Sequence, residues 1–255
     1  MNEGLIDALG AREGIVCLIG AGGKKTTMAR LAWLQADRSV GLSTTVFCAH
    51  LPAWLAHEVR TGDPAALAAL TDEPGWHPPT GPLAFFGAPT RPDRHTGLPG
   101  EAIVQLHQHF RRQVTLVKAD GARMRRIKAP GPGEPVLPPR CDRVIAVLSI
   151  RALGRPLDER VAHRPERVSE ATGLAPNEPL REAHLARLFT SEHGLPGGVD
   201  GPPITPLINM VDHPESRHAA RRVAEQALAD CRGRFDRVVL ASMRSADPLV
   251  DIIRA

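Results

Sequence analysis

The sequence predicts an α/β protein with a doubly wound, mostly parallel sheet of the P-loop NTPase type. Short apolar runs rich in β-branched residues alternate with segments of helical apolar spacing, and glycines separate the first run from the first helical segment. Residues 14–19 are typical of a strand, residues 26–36 of a helix and residues 39–44 of a second strand. Two short-linked strands around a helix form a parallel crossover, the repeating unit of such a fold.

The later elements continue this alternation. Further strands are expected at residues 83–86, 114–119, 143–149, 206–210 and 237–241, and helices at residues 101–110, 181–189 and 215–231. Two segments rich in proline and glycine, about 74–100 and 129–139, are expected to be ordered loops or lids, because neither can be a continuous helix. Open α/β sheets bind ligands outside the carboxyl ends of their strands. The loops expected to converge there follow Ile19, Thr44, Ala119 and Met210.

Composition favours a single domain over residues 1–255. The chain is 42% hydrophobic, which is enough for a full core, and it has no internal repeat. A membrane span needs about 18 apolar residues, and neither such a run nor a signal peptide is evident, so we expect a cytoplasmic protein without a membrane partner. The cysteines are isolated in the sequence and are expected to be free, buried thiols. They are Cys17, Cys48, Cys141 and Cys231.

The charge pattern favours a small anionic ligand over nucleic acid. The formal net charge is +4, but acidic and basic residues are interspersed and aromatic residues make up only 4% of the chain. Lysine occurs at four positions, and every other cationic side chain is arginine. Since lysine is a compact point charge and arginine a planar fork, the lysines are expected where that geometry is needed. They are Lys24, Lys25, Lys118 and Lys128.

The segment between the first strand and the first helix is a candidate phosphate loop. It consists of Gly20, Ala21, Gly22, Gly23, Lys24, Lys25, Thr26 and Thr27. Glycines let backbone N–H groups turn toward a phosphate, the helix start adds positive potential, and Lys24 would bind the β- and γ-phosphates of ATP or GTP. Leu18 stands where the longer pattern G-x-x-x-x-G-K-S/T has its first glycine. The short pattern G-x-x-G-K is less specific, so an ordinary turn and a dinucleotide-binding turn are alternatives.

Candidate ligands of Mg²⁺ are Thr26, Thr44 and Asp120. Lys25 follows the loop lysine where a metal-binding hydroxyl is usual, so Thr26 or Thr27 would have to supply it. Thr44 and Asp120 stand at the carboxyl ends of expected strands, from which a hydroxyl and a carboxylate can reach the metal. An ordinary strand threonine and an aspartate capping a turn before Gly121 are the alternatives.

Charged residues farther along the chain are candidates for anion binding and catalysis. The basic run Arg123, Arg125, Arg126 and Lys128 is either a clamp for an anionic group or a solvated face. Glu134 is either a second functional carboxylate or a surface acid. His163 and Arg164 precede a predicted helix start, although a lone histidine more often packs than catalyses. The candidate catalytic residues are Lys24, Asp120, Glu134, His163 and Arg164.

The run Asn209-Met210-Val211-Asp212 is similar to the N-K-x-D element with which GTP-binding proteins read guanine. Asn209 and Asp212 would hydrogen-bond the base. Methionine replaces the lysine of that element, and a strand ending in a polar turn is the alternative.

An ordered series of segments resembles the YqeC family over most of the chain. The segments are the loop 20–27, KADGA at 118–122, IKAP at 127–130, EPVLP at 134–138, ALGRPL at 152–157 and HRPE at 163–166. The resemblance implies a P-loop-type nucleotide fold and an accessory role in the biosynthesis of the cofactor of selenium-dependent molybdenum hydroxylases. It also implies a shared site of Lys24, Asp120, Lys128, Glu134, His163, Arg164, Asn209 and Asp212.

Two departures from the family pattern bear on the metal. Family members usually carry glutamate where this chain has Lys118, and threonine where it has Lys25. The leading hypothesis is an Mg²⁺-dependent nucleoside-triphosphate-binding protein and NTPase that assists this cofactor's biosynthesis. Its partners would be the triphosphate and a molybdenum cofactor species or a hydroxylase subunit. Alternatives are an ATP-dependent ligase or kinase acting on a small anion, and a nucleotide-sensing chaperone or scaffold without turnover.

Overall fold

The computed structural model describes residues 4–77 and 79–255, and the fold is built on one large sheet. The strands are β1 (Gly14–Gly20), β2 (Val40–Thr44), β3 (Cys48–Ala49), β4 (Glu58–Thr61), β5 (Leu83–Phe86), β6 (Pro89–Arg91), β7 (Arg94–His95), β8 (Val114–Lys118), β9 (Ile127–Lys128), β10 (Arg143–Ser149), β11 (Ala162–His163), β12 (Ile204–Asn209), β13 (Arg237–Ala241) and β14 (Leu249–Arg254). The α-helices are α1 (Leu5–Ala8), α2 (Lys24–Trp33), α3 (Pro64–Ala69), α4 (Gly100–His109), α5 (Pro165–Thr172), α6 (Glu182–Thr190) and α7 (Pro214–Asp230).

Nine strands form the central sheet, in the order β14-β13-β12-β10-β1-β8-β2-β5-β4. Neighbouring strands are parallel except for β13 and β14, which pair antiparallel at one edge. This confirms the predicted α/β class with a mostly parallel sheet, and the arrangement is consistent with the P-loop NTPase type. β8 lies between β1 and β2 and is parallel to both, so the first two long strands of the chain are not neighbours.

Helices cover both faces of the sheet because the buried strands are apolar on both sides. Ile15, Cys17 and Ile19 of β1 belong to the core that includes residues of α4 to α7. Val16 and Leu18 belong to the core that includes α1 and α2. Successive side chains of a strand point to opposite faces, so a strand covered on both faces is a continuous apolar run rather than an alternating one.

The predicted elements are all present, and their bounds agree with the prediction to within three residues. The largest shift is in α2, which starts at Lys24 rather than residue 26 and ends at Trp33 rather than residue 36. Neither β4, whose four residues are all exposed, nor the antiparallel edge strand β14 was predicted from the sequence. In the described part of residues 74–100 there are a strand and a small hairpin, β6–β7, and Pro78 lies outside the described residues. Residues 129–139 form neither helix nor strand, as predicted.

All four cysteines are free, and three are buried while Cys141 is half-buried. None of the helices in residues 4–77 and 79–255 is long and apolar enough to cross a membrane.

Candidate functional site

The loops predicted to converge do meet at the carboxyl edge of the sheet. The backbone N–H of Gly20 donates to Oδ2 of Asp120 at 2.7 Å, which joins the ends of β1 and β8. The N–H of Thr45, after β2, donates to the carbonyl oxygen of Lys118 at 3.1 Å. Nδ2 of Asn209, at the end of β12, donates to the carbonyl oxygen of Gly22 at 2.9 Å. The parallel strands therefore bring the predicted loops to one place.

Glycine is required in the candidate phosphate loop by backbone conformation and by space. Gly22 and Gly23 have φ angles of 83° and 126°, a backbone region that is unfavourable for residues with a Cβ atom. A Cβ atom on Gly23 would clash with Nδ2 of Asn209, and one on Gly22 would lie 2.6 Å from the carbonyl oxygen of Arg126. The close approach of neighbouring chain segments therefore fixes the shape of the loop.

The loop contains two kinds of backbone N–H group. Those of Ala21 and Gly22 donate to the carbonyl oxygens of Val147 and Arg125, each at 2.9 Å, and so anchor the loop. The N–H groups of the next four residues have no acceptor among the residues that the structure describes. These residues are Gly23, Lys24, Lys25 and Thr26. Unpaired N–H groups at the start of a helix favour an anion through both hydrogen bonding and the helix dipole.

Lys24 and Asp120 form a buried ion pair beneath the loop. Nζ of Lys24 lies 2.7 Å from Oδ1 of Asp120, and both side chains are 4% exposed. The same ammonium group donates to the carbonyl oxygen of Gly20. Burial lowers the pKa of Lys24 below its ordinary value, and the charge of Asp120 opposes that shift. The lysine expected to bind phosphate thus lies directly at the loop, paired with a carboxylate.

The ion pair continues into a network that also contains Lys128, Glu134 and Arg164. Nζ of Lys128, which is fully buried, lies 3.0 Å from Asp120, 2.5 Å from Glu134 and 2.8 Å from the carbonyl oxygen of Gly121. Three acceptors use the three hydrogens of this ammonium group. Arg164 donates to Oε2 of Glu134 at 2.6 Å. Lys128 is therefore held inside the network and does not face the crevice.

Glu134 is ionised by its surroundings. Burial would raise the pKa of this carboxyl group, but hydrogen bonds from Arg164 and Lys128 outweigh burial and lower the pKa to about 2. The N–H of Gly131 donates a further hydrogen bond at 3.2 Å. Arg164 has a left-handed backbone, with φ of 60°, at the start of α5, which places its guanidinium beside Glu134. His163, one residue earlier, pairs with Lys128 in the short β9–β11 sheet, and its pKa is lowered by burial and by the charges of Arg164 and Lys128.

Two further lysines hold the segment 45–50 against the loop. Nζ of Lys25 donates to the carbonyl oxygen of His50, and Nζ of Lys118 to that of Phe47, each at 2.7 Å. Neither forms an ion pair with a carboxylate in the described residues. Burial lowers the pKa of Lys118 to about 8, with Cys48 acting in the opposite direction and Lys24 reinforcing the shift. Both lysines are also close enough to Cys48 to lower the pKa of its thiol, although burial raises that pKa more.

The hydroxyl groups expected to bind Mg²⁺ lie in different surroundings. Oγ1 of Thr44 is 2.9 Å from the carbonyl oxygens of both Val46 and Lys118, so it is bonded to backbone. Thr26 is half-buried in the first turn of α2. Thr27 is fully buried, and its hydroxyl has no hydrogen-bond partner in the described part of the chain.

The donor set around Asp120 does not fit a magnesium ion. Mg²⁺ requires oxygen ligands in near-octahedral geometry. Both oxygens of Asp120 lie against ammonium groups, Lys24 at 2.7 Å and Lys128 at 3.0 Å, and one also accepts the N–H of Gly20. A divalent cation there would replace these contacts and would be repelled by both lysines. Residues 4–77 and 79–255 also contain no group of three or more His, Cys, Asp or Glu side chains that could hold a metal ion.

Asn209 and Asp212 take different positions. Asn209 is 2% exposed and braces the loop from below, since it donates to Gly22 and its Oδ1 accepts from the N–H of Met243 at 3.4 Å. Asp212 lies nearer the surface, where it accepts hydrogen bonds from Oγ of Ser242 and from Arg151, each at 2.6 Å. Of the two residues predicted to hydrogen-bond the base, Asn209 is therefore buried and supports the loop, while Asp212 has a partly exposed carboxylate.

The basic run supports the site through its backbone carbonyl groups more than through its charged side chains. Arg123 is exposed, and the guanidinium of Arg126 donates to the carbonyl oxygen of Arg151. The carbonyl oxygens of Arg125 and Arg126 accept the N–H groups of Gly22 and Ser149, at 2.9 and 3.0 Å. Sequence reasoning did not single out these carbonyls, nor Ser149, Arg151 and Ser242, because their contacts join segments far apart in the chain.

Comparison with known proteins agrees with the resemblance seen in the sequence. The family model described as YqeC protein matches residues 16–166. A protein of Escherichia coli (strain K12), described as "Uncharacterized protein YqeC", is 32% identical over 195 residues, which cover 74% of this chain and 73% of that protein. The matched region of the family model extends from β1 to the start of α5 and thus includes the loop and the ion network.

Proposed function

The chain belongs to the YqeC family, and we propose that it binds a nucleoside triphosphate at the loop formed by residues 20–27. The observation that carries the proposal is the row of N–H groups of residues 23–26 at the start of α2, which have no acceptor in the described part of the chain and lie next to the ammonium groups of Lys24 and Lys25. Oriented N–H groups and a helix start bind phosphate oxygens without further reorganisation.

In this proposal each residue has a separate task. The N–H groups and Lys24 hold the phosphates, and Asn209 keeps the loop in its binding shape through Gly22. Asp120 and Glu134 fix Lys24, Lys128 and Arg164 through the buried network. Catalysis of phosphoryl transfer is mostly positioning and electrostatic stabilisation, and this arrangement supplies both. Asp212, whose side chain is partly exposed, would hydrogen-bond the base once Arg151 moves aside.

The reaction that we propose is hydrolysis or use of the triphosphate during biosynthesis of the cofactor of selenium-dependent molybdenum hydroxylases. This biological setting rests on the family resemblance alone. A specific observation favours slow turnover: both carboxylates next to the loop are held by cations, so neither is free to accept a proton. A ligase or kinase would need a bound acceptor to react, and a scaffold would bind without turnover.

Calorimetric titration with ATP, GTP and CTP, each with and without Mg²⁺, tests the proposal. Wild-type protein should bind at least one triphosphate, and Lys24→Gln, which keeps a hydrogen-bond donor but loses the charge, should bind about tenfold or more weakly. Arg12→Ala is the matched control, because Arg12 is an exposed cation before β1, at the opposite end of that strand. If no triphosphate bound to a folded wild-type protein, the proposal would be wrong.

Phosphate release distinguishes the three forms of the proposal. Turnover with nucleotide alone supports an NTPase, and turnover that requires an added small anion supports a ligase or kinase. Tight binding without turnover supports the nucleotide-sensing scaffold. Inorganic tripolyphosphate as a competitor shows whether the base contributes to binding.

A further inference from the structure

The charges next to the phosphate loop are unbalanced. Among the residues that the structure describes, five cationic side chains and two carboxylates form the contacts around the loop, which leaves three positive charges. The cations are Lys24, Lys25, Lys118, Lys128 and Arg164, and the carboxylates are Asp120 and Glu134. Lys24, Lys128 and Arg164 contact the two carboxylates, so one of the three excess charges belongs to this network and the other two are those of Lys25 and Lys118.

Lys25 and Lys118 each use one donor on a backbone carbonyl and none on a carboxylate in the described residues. A carbonyl dipole satisfies a hydrogen bond but does not neutralise a charge. An ammonium group has three donors, so each lysine also has further N–H groups to offer. Lys25 stands in the first turn of α2, where a cation opposes the helix dipole and is unfavourable unless an anion is near.

Lys25 and Lys118 lie where proteins that bind a triphosphate usually hold its metal ion. A divalent cation bound to triphosphate oxygens neutralises phosphate charge and is itself held by a hydroxyl and a carboxylate of the protein. Here the ammonium groups of Lys24 and Lys128 hold Asp120. The residue after Lys24, where a metal-binding hydroxyl is usual, is Lys25 and carries a third ammonium group. In addition to its burial, Lys118 is close enough to Lys24 and Lys128 that the charges of both lower its pKa.

We infer that this site binds its triphosphate as the free polyanion, with the ammonium groups of Lys25 and Lys118 in place of a divalent metal. This inference rests on the proposed function and specifies the form of ligand that the site takes. The ammonium groups of Lys25 and Lys118 turn from the carbonyl oxygens of His50 and Phe47 to phosphate oxygens when the ligand binds. Mg²⁺ in solution then reduces the charge of the ligand and lowers its affinity or leaves it unchanged.

The test is a titration of the full chain with the triphosphate that binds best, first in excess EDTA and then in excess Mg²⁺. Binding in EDTA that is equal to or tighter than binding in Mg²⁺ is expected. Binding that requires Mg²⁺ would overturn the inference and leave the proposed function standing. Binding under neither condition would remove the proposed function, and the inference with it.

Two double variants make the test specific for the lysines. Lys25→Thr with Lys118→Glu removes two positive charges and adds a negative one, so it should lose affinity in EDTA by about a hundredfold or more and regain affinity when Mg²⁺ is added. The matched control, Lys25→Arg with Lys118→Arg, retains both charges and should bind in EDTA within about tenfold of the wild type. Equal affinity of the Thr/Glu variant and the wild type in EDTA would show that the lysines do not replace the metal. Circular dichroism and thermal melting confirm that each variant is folded, and the wild-type titration alone decides the matter if one is not.

Discussion

Asn209 and Gly22 are 187 positions apart in the chain, and Nδ2 of Asn209 donates a hydrogen bond of 2.9 Å to the carbonyl oxygen of Gly22. This contact ties the phosphate loop to the carboxyl end of β12. It is buried, since Asn209 is 2% exposed, so the loop is supported from below by a side chain that a ligand above the loop would not touch. The shape of the loop therefore depends on a buried residue, and under the proposal the affinity for the ligand depends on it too.

Replacing this brace should weaken binding without removing a ligand contact. Asn209→Ala leaves the carbonyl oxygen of Gly22 and the N–H of Met243 without their partner, which should cost about 1–3 kcal/mol of unfolding free energy. Triphosphate affinity should fall as well. Urea unfolding and calorimetry measure the two effects. Unchanged affinity in the folded variant would mean that the loop keeps its shape without Asn209.

Gly23→Ala is predicted to be damaging and Gly121→Ala to be tolerated. Gly23→Ala places a Cβ against Asn209 at φ of 126°, so it should cost at least about 1–2 kcal/mol and reduce triphosphate binding strongly. Gly121→Ala is the control, because a Cβ there meets no atom within 4 Å among the described residues. Thermal melting and titration compare the two. If both variants behaved alike, crowding at Gly23 would not be what requires glycine.

Asp120 is expected to matter for stability more than an exposed carboxylate does. Asp120→Asn removes the negative charge between the buried ammonium groups of Lys24 and Lys128, and breaking a buried pair costs about 3–5 kcal/mol. The control is Asp7→Asn, which breaks the exposed pair with Arg12 and should cost less than about 1 kcal/mol. Urea unfolding at neutral pH measures both. Similar losses in the two variants would contradict the importance of the buried network.

Glu134 predicts a loss of stability in acid. Its pKa is lowered from 4.5 to about 2, so its ionised form stabilises the fold fully above pH 4.5. Below that value the unfolded chain takes up the proton first, and the contribution is lost as the pH falls toward about 2. The difference in unfolding free energy between wild type and Glu134→Gln should therefore shrink over this range. A difference that stayed constant would show that Glu134 titrates normally in the folded protein.

Lys118 predicts a loss of ligand affinity in alkali. Because its pKa is about 8, the fraction that carries a charge falls as the pH rises through that value. If this charge binds phosphate, affinity should fall about tenfold between about pH 7 and about pH 9. Lys118→Arg, which stays charged, should lose much less over the same range. Identical pH profiles for the two proteins would remove Lys118 from the binding surface.

Lys118 also affects stability, with the opposite dependence on pH. Its folded-state pKa of about 8 lies below the ordinary 10.5, so the unfolded chain holds the proton more tightly than the folded one. Between these values the unfolding free energy should rise with pH, because burying the neutral amine costs less than burying the charge. In the absence of ligand, Lys118→Met should not show this rise, and urea unfolding over the alkaline range measures it.

The sequence predicted the strands well because they are apolar on both faces and end in glycine or polar residues. β5, β10 and β13 have the predicted bounds. β4 was missed because its residues are all exposed, and β14 because Asp251 interrupts its apolar residues at the edge of the sheet. Such strands are defined by pairing with a neighbour, and pairing between distant segments leaves little local pattern.

Which of the candidate residues lie close together was easier to predict from the sequence than how their side chains are oriented. The loops after Ile19 and Ala119 were predicted to converge, and Lys24 and Asp120 in those loops lie 2.7 Å apart. What spacing does not determine is the direction of a side chain. Lys128 belongs to the predicted anion-binding run, yet its ammonium group lies inside the ion network, and Asn209 lies under the loop. These orientations follow from burial and from contacts between segments far apart in sequence.

If the site binds a triphosphate as proposed, the carbonyl oxygens of Phe47 and His50 occupy the places of phosphate oxygens in the free protein. Each already occupies a hydrogen of the lysine that a triphosphate would use. A phosphate ligand would have to replace the hydrogen bonds that the lysines already make to these carbonyl oxygens. Its measured affinity would therefore be the difference between the two sets of hydrogen bonds. Under the proposal, the exchange would release two of the contacts that hold the segment 45–50, while Thr45 stays bonded to the carbonyl oxygens of Lys118 and Val136 and β3 stays paired with β7.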